Sequence, residues 1–216
     1  NLKIFIFQLM SGIVTLQYHI PNFKHNDMHS ENILVGSYNL KHKKGKNKYI
    51  KYILFEQEFY VPLREYCVKI YDFDTIYGKG FKNAKLEDSI YKQVGVTSKN
   101  NPVFDYHLAL NSLFKEADFN TQRETIKFYE EQVQEEYRGN SNQFISYARL
   151  TNYKINYSND NTNLIPNNIQ TPSHVLLNHH YFDQLRTKPK NGKIVDVIDS
   201  KIPNYDKVKH LKYMFK

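Results

Sequence analysis

The polar stretch His25–Asn32 lies directly before a short apolar run, and this contrast limits what the chain can fold into. Its eight positions hold two histidines, two acids and two asparagines, and Ile33–Val35 is purely apolar. A short apolar run of this kind is typical of a buried strand. A strand anchored in the core holds the adjoining loop rigidly, so we expect the polar side chains of 25–32 to line a cleft.

The remaining chain is predicted to mix helices and strands, with the strands early and the helices dominant later. Residues 2–19 repeat apolar side chains at helical spacing, and strands are expected on both sides of a turn near Glu56–Gln57. Further predictions are a strand at 67–73, a polar irregular stretch at 83–102, and helices at 105–117, 120–139 and 171–186. We therefore predict an α+β fold, mainly α, as one domain over 1–216 with a Lys-rich hairpin insertion at about 36–66.

Three side chains in and after the polar stretch have the chemistry that phosphoryl transfer requires. Asp27 can accept a proton from a hydroxyl group, and Asn32 follows five residues later. Asp72 is expected at the end of the predicted strand 67–73. Amide and carboxylate oxygens are ligands that Mg²⁺ prefers, and phosphoryl transfer depends mainly on positioning and charge neutralisation.

The order of these motifs resembles that of the protein kinase fold. "LQYHIPNFKHNDMHSENILV" followed by "VKIYDFD" is similar to the catalytic and metal-binding loops of protein kinases, and most resembles the divergent kinases of large DNA viruses. "NPVFDYHLALNSL" resembles the helix whose Asp holds the catalytic loop from behind. "TPSHVLLNHHYF" resembles a helix near the end of the large lobe. The resemblance covers most of the chain and is weakest between 118 and 170.

The resemblance assigns a role to each matching residue. It implies that Asp27 is the catalytic base and that Asn32 and Asp72 bind Mg²⁺ together with ATP. His29 takes the place of a Lys that touches the transferred phosphate in protein kinases. The supporting residues of the loop would be His25, which packs beneath it, Phe73 of the Asp-Phe motif, and Asp105.

Several positions depart from the kinase pattern. Asn26 replaces the usual Arg, and Asp74 replaces a Gly that tolerates unusual backbone angles. At the place of His29, aminoglycoside and other small-molecule phosphotransferases also have a histidine. No Gly-rich phosphate loop precedes His25, so the small lobe is expected to be absent. The chain is then a large lobe, incomplete and inactive alone.

The primary interpretation is therefore a serine/threonine protein kinase whose full-length form transfers the ATP γ-phosphate to a protein hydroxyl. The missing small lobe and a protein substrate would be its partners. Two alternatives stay open. The chain could belong to a small-molecule phosphotransferase of the aminoglycoside type, or to a non-catalytic pseudokinase that serves as a binding module.

Charge and cysteine content bear on partners and location. The net charge is +8, and 41–51 holds six lysines without an acid. This run is predicted to be a solvated hairpin tip, with nucleic-acid binding as the alternative; the lysines concerned are Lys43, Lys44, Lys46 and Lys48. The single Cys67 fits a reducing compartment, so an intracellular location is expected, in the host cytoplasm or the virion if the source is viral. No apolar run reaches the length of a membrane span.

Two histidine pairs need separate interpretations. His25 and His29 are four residues apart, as in helical zinc motifs, but the general-base Glu of such motifs is missing and a strand follows directly. A zinc site is therefore disfavoured. His179 and His180, near a predicted helix end, are interpreted as surface and packing residues.

Overall fold

The structure of the protein, a computed structural model, describes residues 2–37, 47–89, 96, 98, 100–116, 122–133 and 170–201. The chain forms two compact units. The first comprises Asn1–Ser37 and Tyr66–Phe182, and the second comprises Tyr38–Glu65 and Asp183–Lys216. Each unit therefore contains two separate stretches of sequence.

Helices and strands are both present along the described residues. In chain order they are α1 (Leu2–His19), β1 (Ile33–Ser37), β2 (Lys48–Leu54), β3 (Gln57–Pro62), β4 (Tyr66–Ile70), α2 (Phe104–Glu116), α3 (Arg123–Gln132), α4 (Pro172–Asn178), α5 (Asp183–Arg186) and β5 (Lys193–Asp199). Short 3₁₀ turns lie at Ser30–Asn32, Ala84–Glu87 and His180–Phe182.

Helix α1 confirms the predicted helix 2–19 and supplies much of the core of the first unit. Phe7, Met10 and Ile13 are fully buried, and even the polar Gln8 and Ser11 are enclosed. A helix that is apolar on most sides is typical of a protein interior. The helix ends before Pro21, and Asn22 adopts a left-handed backbone with φ 62°.

Strands β1 and β4 form an antiparallel two-stranded ribbon that carries the polar loop. Ile33 lies opposite Ile70 at one end and Ser37 opposite Tyr66 at the other. The predicted strand 67–73 is wrong in its last three residues. β1 begins at Ile33, which lies opposite Ile70, and a 3₁₀ turn precedes it. The pairing of the two strands therefore ends at Ile70. Asp72 then adopts a left-handed backbone with φ 57°.

A core cluster joins the ribbon to the helices. It consists of Leu9, Ile13, Met28, Ile33 and Ala109, with Phe5, Val68, Ile70 and Leu113 packed against it. Met28 is the apolar residue inside the polar stretch, and it is completely buried. The predicted burial of Ile33–Val35 is wrong for two of its three residues, because Leu34 and Val35 are 42% and 62% exposed on the two-stranded ribbon. The loop is therefore held to the core by Met28 from within and by Ile33 at the start of the strand.

The later helices differ from the prediction in their bounds. α2 matches 105–117 closely, whereas α3 covers only Arg123–Gln132 of the predicted 120–139, and 134–139 lies outside the described residues. The predicted helix 171–186 is wrong as one element, because the backbone becomes extended at His179 with ψ 132°. This break directs two neighbouring rings into the core, with Tyr181 stacked on Phe128 at 4.2 Å and Phe182 against Phe7 at 5.9 Å.

The second unit contains a three-stranded sheet in the order β3–β2–β5. β2 and β3 form the predicted antiparallel hairpin, with its turn at Phe55–Glu56. β5 pairs with β2 in parallel, so the expectation that strands occur only early in the chain is wrong. Lys48 begins β2, whereas Lys43, Lys44 and Lys46 lie outside the described residues.

Within the described ranges, we find no helix that combines the length and the apolar character needed to cross a membrane.

Candidate active site

Asp105, in the first turn of α2, holds the backbone of the polar loop. Its two carboxylate oxygens accept hydrogen bonds from the backbone N–H groups of His25, at 2.6 Å, and Asn26, at 2.9 Å. The side chain is fully buried, so it is not an exposed helix-capping acid. A carboxylate that uses both oxygens on consecutive amides fixes the path of the chain immediately before Asp27.

Burial sets the electrostatics of this contact. Removal from water raises the pKa of Asp105, and the nearby His25 and Lys24 side chains and the two backbone N–H groups act in the opposite direction. Burial also lowers the pKa of Lys24, from 10.5 to about 8, against the attraction of Asp105. Two buried titratable groups therefore lie directly behind the loop.

His25 connects the loop to the Asp-Phe segment. Its Nε2 donates a hydrogen bond to the backbone oxygen of Tyr71 at 2.9 Å, and its ring lies 5.1 Å from that of Phe73. The Tyr71 N–H donates in turn to the backbone oxygen of Asn32 at 3.0 Å. Tyr71 is thus held on both sides, and Asp72 immediately follows it.

Asp27, His29 and Asn32 form a compact group at the surface of the first unit. The Asn32 amide nitrogen donates to the Asp27 backbone oxygen at 2.8 Å and lies 3.3 Å from its Oδ2. His29 Nε2 lies 3.5 Å from the same Oδ2 and 3.2 Å from the Asn32 nitrogen. The Asp27 and His29 side chains are 23% and 26% exposed, so a carboxylate and an imidazole reach solvent from a fixed backbone.

The oxygen atoms near this group suit a hard divalent cation. The hydrogen bonds that the Asn32 side chain makes to Asp27 and His29 use its nitrogen, which directs Oδ1 away from Asp27. Asp72 is exposed, and among the described residues its Oδ1 accepts a long bond of 3.4 Å from the Asp74 N–H. One amide oxygen and one carboxylate are the ligand types that Mg²⁺ takes. Asn32 and Asp72 therefore fit the predicted cation site in chemistry.

A second set of hydrogen bonds joins the loop to the segment after Asp72. Asn26 Nδ2 donates to the Thr75 backbone oxygen at 2.8 Å, and Thr75 Oγ1 donates to the His25 backbone oxygen at 2.9 Å. Lys24 and Tyr77 exchange both backbone hydrogen bonds, at 2.9 and 2.7 Å. We call this set the loop–segment clamp. Sequence reasoning missed it, and the only signal was Asn26, a residue type that tolerates the left-handed backbone it adopts at φ 68°.

One other group in the described part of the chain has the composition of a metal site. Ligand atoms of Glu131, His179 and His180 lie within 4.8 Å of one another. However, His179 Nδ1 accepts the Tyr181 N–H at 3.2 Å, so its Nε2 carries the proton and donates to Glu131 at 3.1 Å. A metal ion needs an unprotonated nitrogen. We therefore interpret His179 as a packing residue, in agreement with its contact on Phe128 at 5.1 Å.

Comparison with known proteins gives two relatives, both from Acanthamoeba polyphaga mimivirus and both described as putative serine/threonine-protein kinases. The first is 30% identical over 152 residues, which cover 67% of this chain and 32% of the relative. The second is 24% identical over 201 residues, which cover 88% of this chain and 49% of the relative. The chain resembles divergent protein kinases of large DNA viruses.

The kinase resemblance spans only part of each relative. The matched part of the chain spans 32% and 49% of the lengths of these two proteins. No protein-family model matches it, and no solved structure matches it. The likeness therefore supports a kinase-like protein and leaves the residue roles to the geometry described above.

Proposed function

We propose that the complete protein transfers the γ-phosphate of ATP to a serine or threonine hydroxyl of a protein, and that the first unit is the large lobe of its kinase domain. The observation that carries this proposal is the fixed group of Asp27, His29 and Asn32, to which the backbone hydrogen bond from Tyr71 to Asn32, at 3.0 Å, ties the residue before the exposed Asp72. Kinase-like relatives support the same reaction class.

Each residue of the group has a task in this proposal. Asp27, oriented by the Asn32 amide at 3.3 Å, accepts the proton of the attacking hydroxyl. Asn32 Oδ1 and the Asp72 carboxylate would hold Mg²⁺, which would neutralise the charge of the ATP phosphates. His29, 3.5 Å from Asp27, would contact the transferred phosphoryl group. Asp105, His25 and Phe73 keep the two loops in register.

The geometry also leaves a second acceptor class open. An imidazole at His29 is shared with small-molecule phosphotransferases, so a small alcohol is the alternative acceptor. In the pseudokinase alternative, the site binds and transfers nothing. Transfer of radiolabelled γ-phosphate from ATP to mixed proteins, compared with aminoglycosides and other small alcohols, distinguishes the three.

The variant that tests the proposal is Asp27→Asn in the complete gene product. We expect the transfer rate to fall by about 10²- to 10⁴-fold, because a general base contributes on this scale. ATP binding should be nearly unchanged, since Asp27 does not hold the nucleotide. Glu56→Gln is the matched control, because this acid lies in the turn between β2 and β3, its side chain is 92% exposed, and its ion-pair partner is Lys201 at 3.7 Å. An unchanged rate in Asp27→Asn would contradict the assignment.

A further inference from the structure

Lys24 is a lysine inside the protein, immediately before the polar loop. Only 2% of its surface is exposed, and its Nζ lies 4.6 Å from the centre of the Phe104 ring. Its backbone is engaged by Tyr77 in the loop–segment clamp. The side chain therefore points towards the first turn of α2, where Phe104 and Asp105 lie.

Burying this ammonium group is costly for the fold. Lysine is almost never fully buried unless it is paired, and the ring face of Phe104 compensates only partly for lost hydration. Asp105 is buried as well, and it accepts the N–H of His25, the residue that follows Lys24, at 2.6 Å. Opposite charges buried near each other contribute little net stability, and apolar residues of similar volume often serve as well. The location of Lys24, directly behind the loop, therefore calls for a reason other than stability.

We infer that Lys24 is a positioning residue whose buried ammonium keeps Asp105 ionised, so that both Asp105 oxygens can accept the backbone N–H groups that fix Asp27. This inference rests on the proposed function for its activity readout. A protonated carboxyl group would present an O–H donor towards the His25 or Asn26 N–H, and one of the two hydrogen bonds would be lost. The loop before Asp27 would then relax.

The inference gives a definite pH dependence. Burial already raises the pKa of Asp105, and loss of the Lys24 charge would raise that pKa further. The charged or titratable groups that face Asp105 are Lys24 and His25, and Asp105 is the charged group that faces Lys24. Because His25 is present in both the wild type and a Lys24 variant, a difference between them isolates the lysine.

Lys24 also affects stability at alkaline pH. The pKa of Lys24 is about 8 in the folded protein, against 10.5 in the unfolded chain. Between these values the unfolded chain binds more protons, so the free energy of unfolding rises with pH. A rising pH removes protons and cannot protonate Asp105, so the support that Lys24 gives to the loop is tested on the acidic side, where Asp105 takes up a proton.

The test compares Lys24→Met with Lys69→Met, an exposed lysine on β4, in the complete gene product. The rate of phosphoryl transfer is measured from pH 5 to 9. In Lys24→Met we expect the acidic limb of the profile to move to higher pH and the rate at pH 6 to fall at least tenfold. In the double variant Lys24→Met/Asp105→Asn the rate should stay low while that limb disappears. An acidic limb at the wild-type position in Lys24→Met would overturn the inference.

A second measurement needs no transfer activity. Amide hydrogen exchange at His25 and Asn26 reports the two hydrogen bonds to Asp105 directly. At pH 6 we expect their protection to be at least tenfold lower in Lys24→Met than in the wild type, after correction for intrinsic exchange, while Val14 in α1 keeps its protection in both proteins. Equal protection of His25 and Asn26 in the two proteins would refute the role of Lys24 even if phosphoryl transfer were established. Lower protection in Lys24→Met without any transfer activity in the wild type would refute the proposed function alone.

Discussion

The side-chain amide of Asn26 donates a hydrogen bond to the backbone oxygen of Thr75 at 2.8 Å. The Thr75 hydroxyl returns a bond to the backbone of His25 at 2.9 Å, and both residues are buried. Many protein kinases carry an Arg at the place of Asn26, and its guanidinium grips a phosphate on the segment after the metal-binding Asp. Here uncharged hydrogen bonds already hold the beginning of that segment.

We predict from this contact that the activity of the complete protein does not depend on phosphorylation of the segment. Thr75 is an unsuitable acceptor, because its hydroxyl is buried and already bonded. The measurement compares the transfer rate of a phosphatase-treated sample with that of an untreated one. It also includes a variant with Phe for tyrosine and Ala for serine or threonine at the other candidate acceptors, which are Tyr77, Ser89, Tyr91, Thr97 and Ser98. A tenfold loss, about 1.4 kcal/mol in barrier, would mean that another cation binds a phosphate there.

A substitution in the loop can also disrupt the loop–segment clamp. Asn26→Asp replaces the amide donor with a carboxylate oxygen that faces the Thr75 carbonyl in a buried position. We expect a loss of roughly 3 kcal/mol in the free energy of unfolding, because the substitution leaves a buried charge unsatisfied. Urea denaturation measures the change. Asn22→Asp is the matched control, since Asn22 is exposed but has the same left-handed backbone, with φ 62° against 68° for Asn26. Equal losses in both variants would assign the effect to backbone preference.

The two proposed metal ligands should differ in their effect on Mg²⁺. Asp72→Ala should raise the Mg²⁺ concentration needed for half-maximal transfer more than Asn32→Ala does, because a carboxylate neutralises the cation and an amide only coordinates it. Asn32→Ala should also reduce the maximal rate, since Asn32 orients Asp27. Titration of Mg²⁺ at saturating ATP separates the two parameters. A reversed order of the half-saturation values would contradict the assigned roles.

The hydrogen bond between Thr125 and Tyr181 allows a prediction about stability alone. The hydroxyl groups of Thr125 and Tyr181 are hydrogen-bonded at 2.8 Å in the core of the first unit. Tyr181→Phe keeps the stack on Phe128 but leaves the Thr125 hydroxyl without this partner, so we expect a loss of about 1–2 kcal/mol. Urea denaturation provides the measurement. In the double variant Tyr181→Phe/Thr125→Val both hydroxyls are gone, and most of the lost stability should return. If the double variant is less stable than Tyr181→Phe, the hydrogen bond is not the cause.

Sequence reasoning succeeded where the signal is local. The helical spacing in 2–19 and the hairpin with a turn predicted near Glu56–Gln57 depend on neighbouring residues, and both elements are present. It failed where contacts between residues distant in sequence determine the secondary structure. His179 breaks a helix because Phe128 and Phe7 accept the following rings, and β5 exists because β2 offers it an edge.

The same distinction applies to the candidate site. The polar loop and Asp105 were identified as motif positions, since the order of residue types carries that information. The loop–segment clamp and the burial of Lys24 were not predicted. The sequence around a lysine does not indicate whether its side chain will be buried. The roles of Asp27, His29, Asn32 and Asp72 remain predictions until the variants above are measured.

The parallel pairing of β2 with β5 has a consequence for how the protein is made. The Phe55 N–H donates to Ser200 Oγ across 145 residues of chain, and Tyr66–Phe182, which belongs to the first unit, is synthesised in between. At roughly 5–20 residues per second, the hairpin of β2 and β3 waits on the order of ten seconds for its third strand. During translation the free edge of β2 is open to other chains. The second unit is therefore completed last. A nascent chain that ends before residue 193 lacks β5, keeps this edge of β2 exposed and is prone to aggregation.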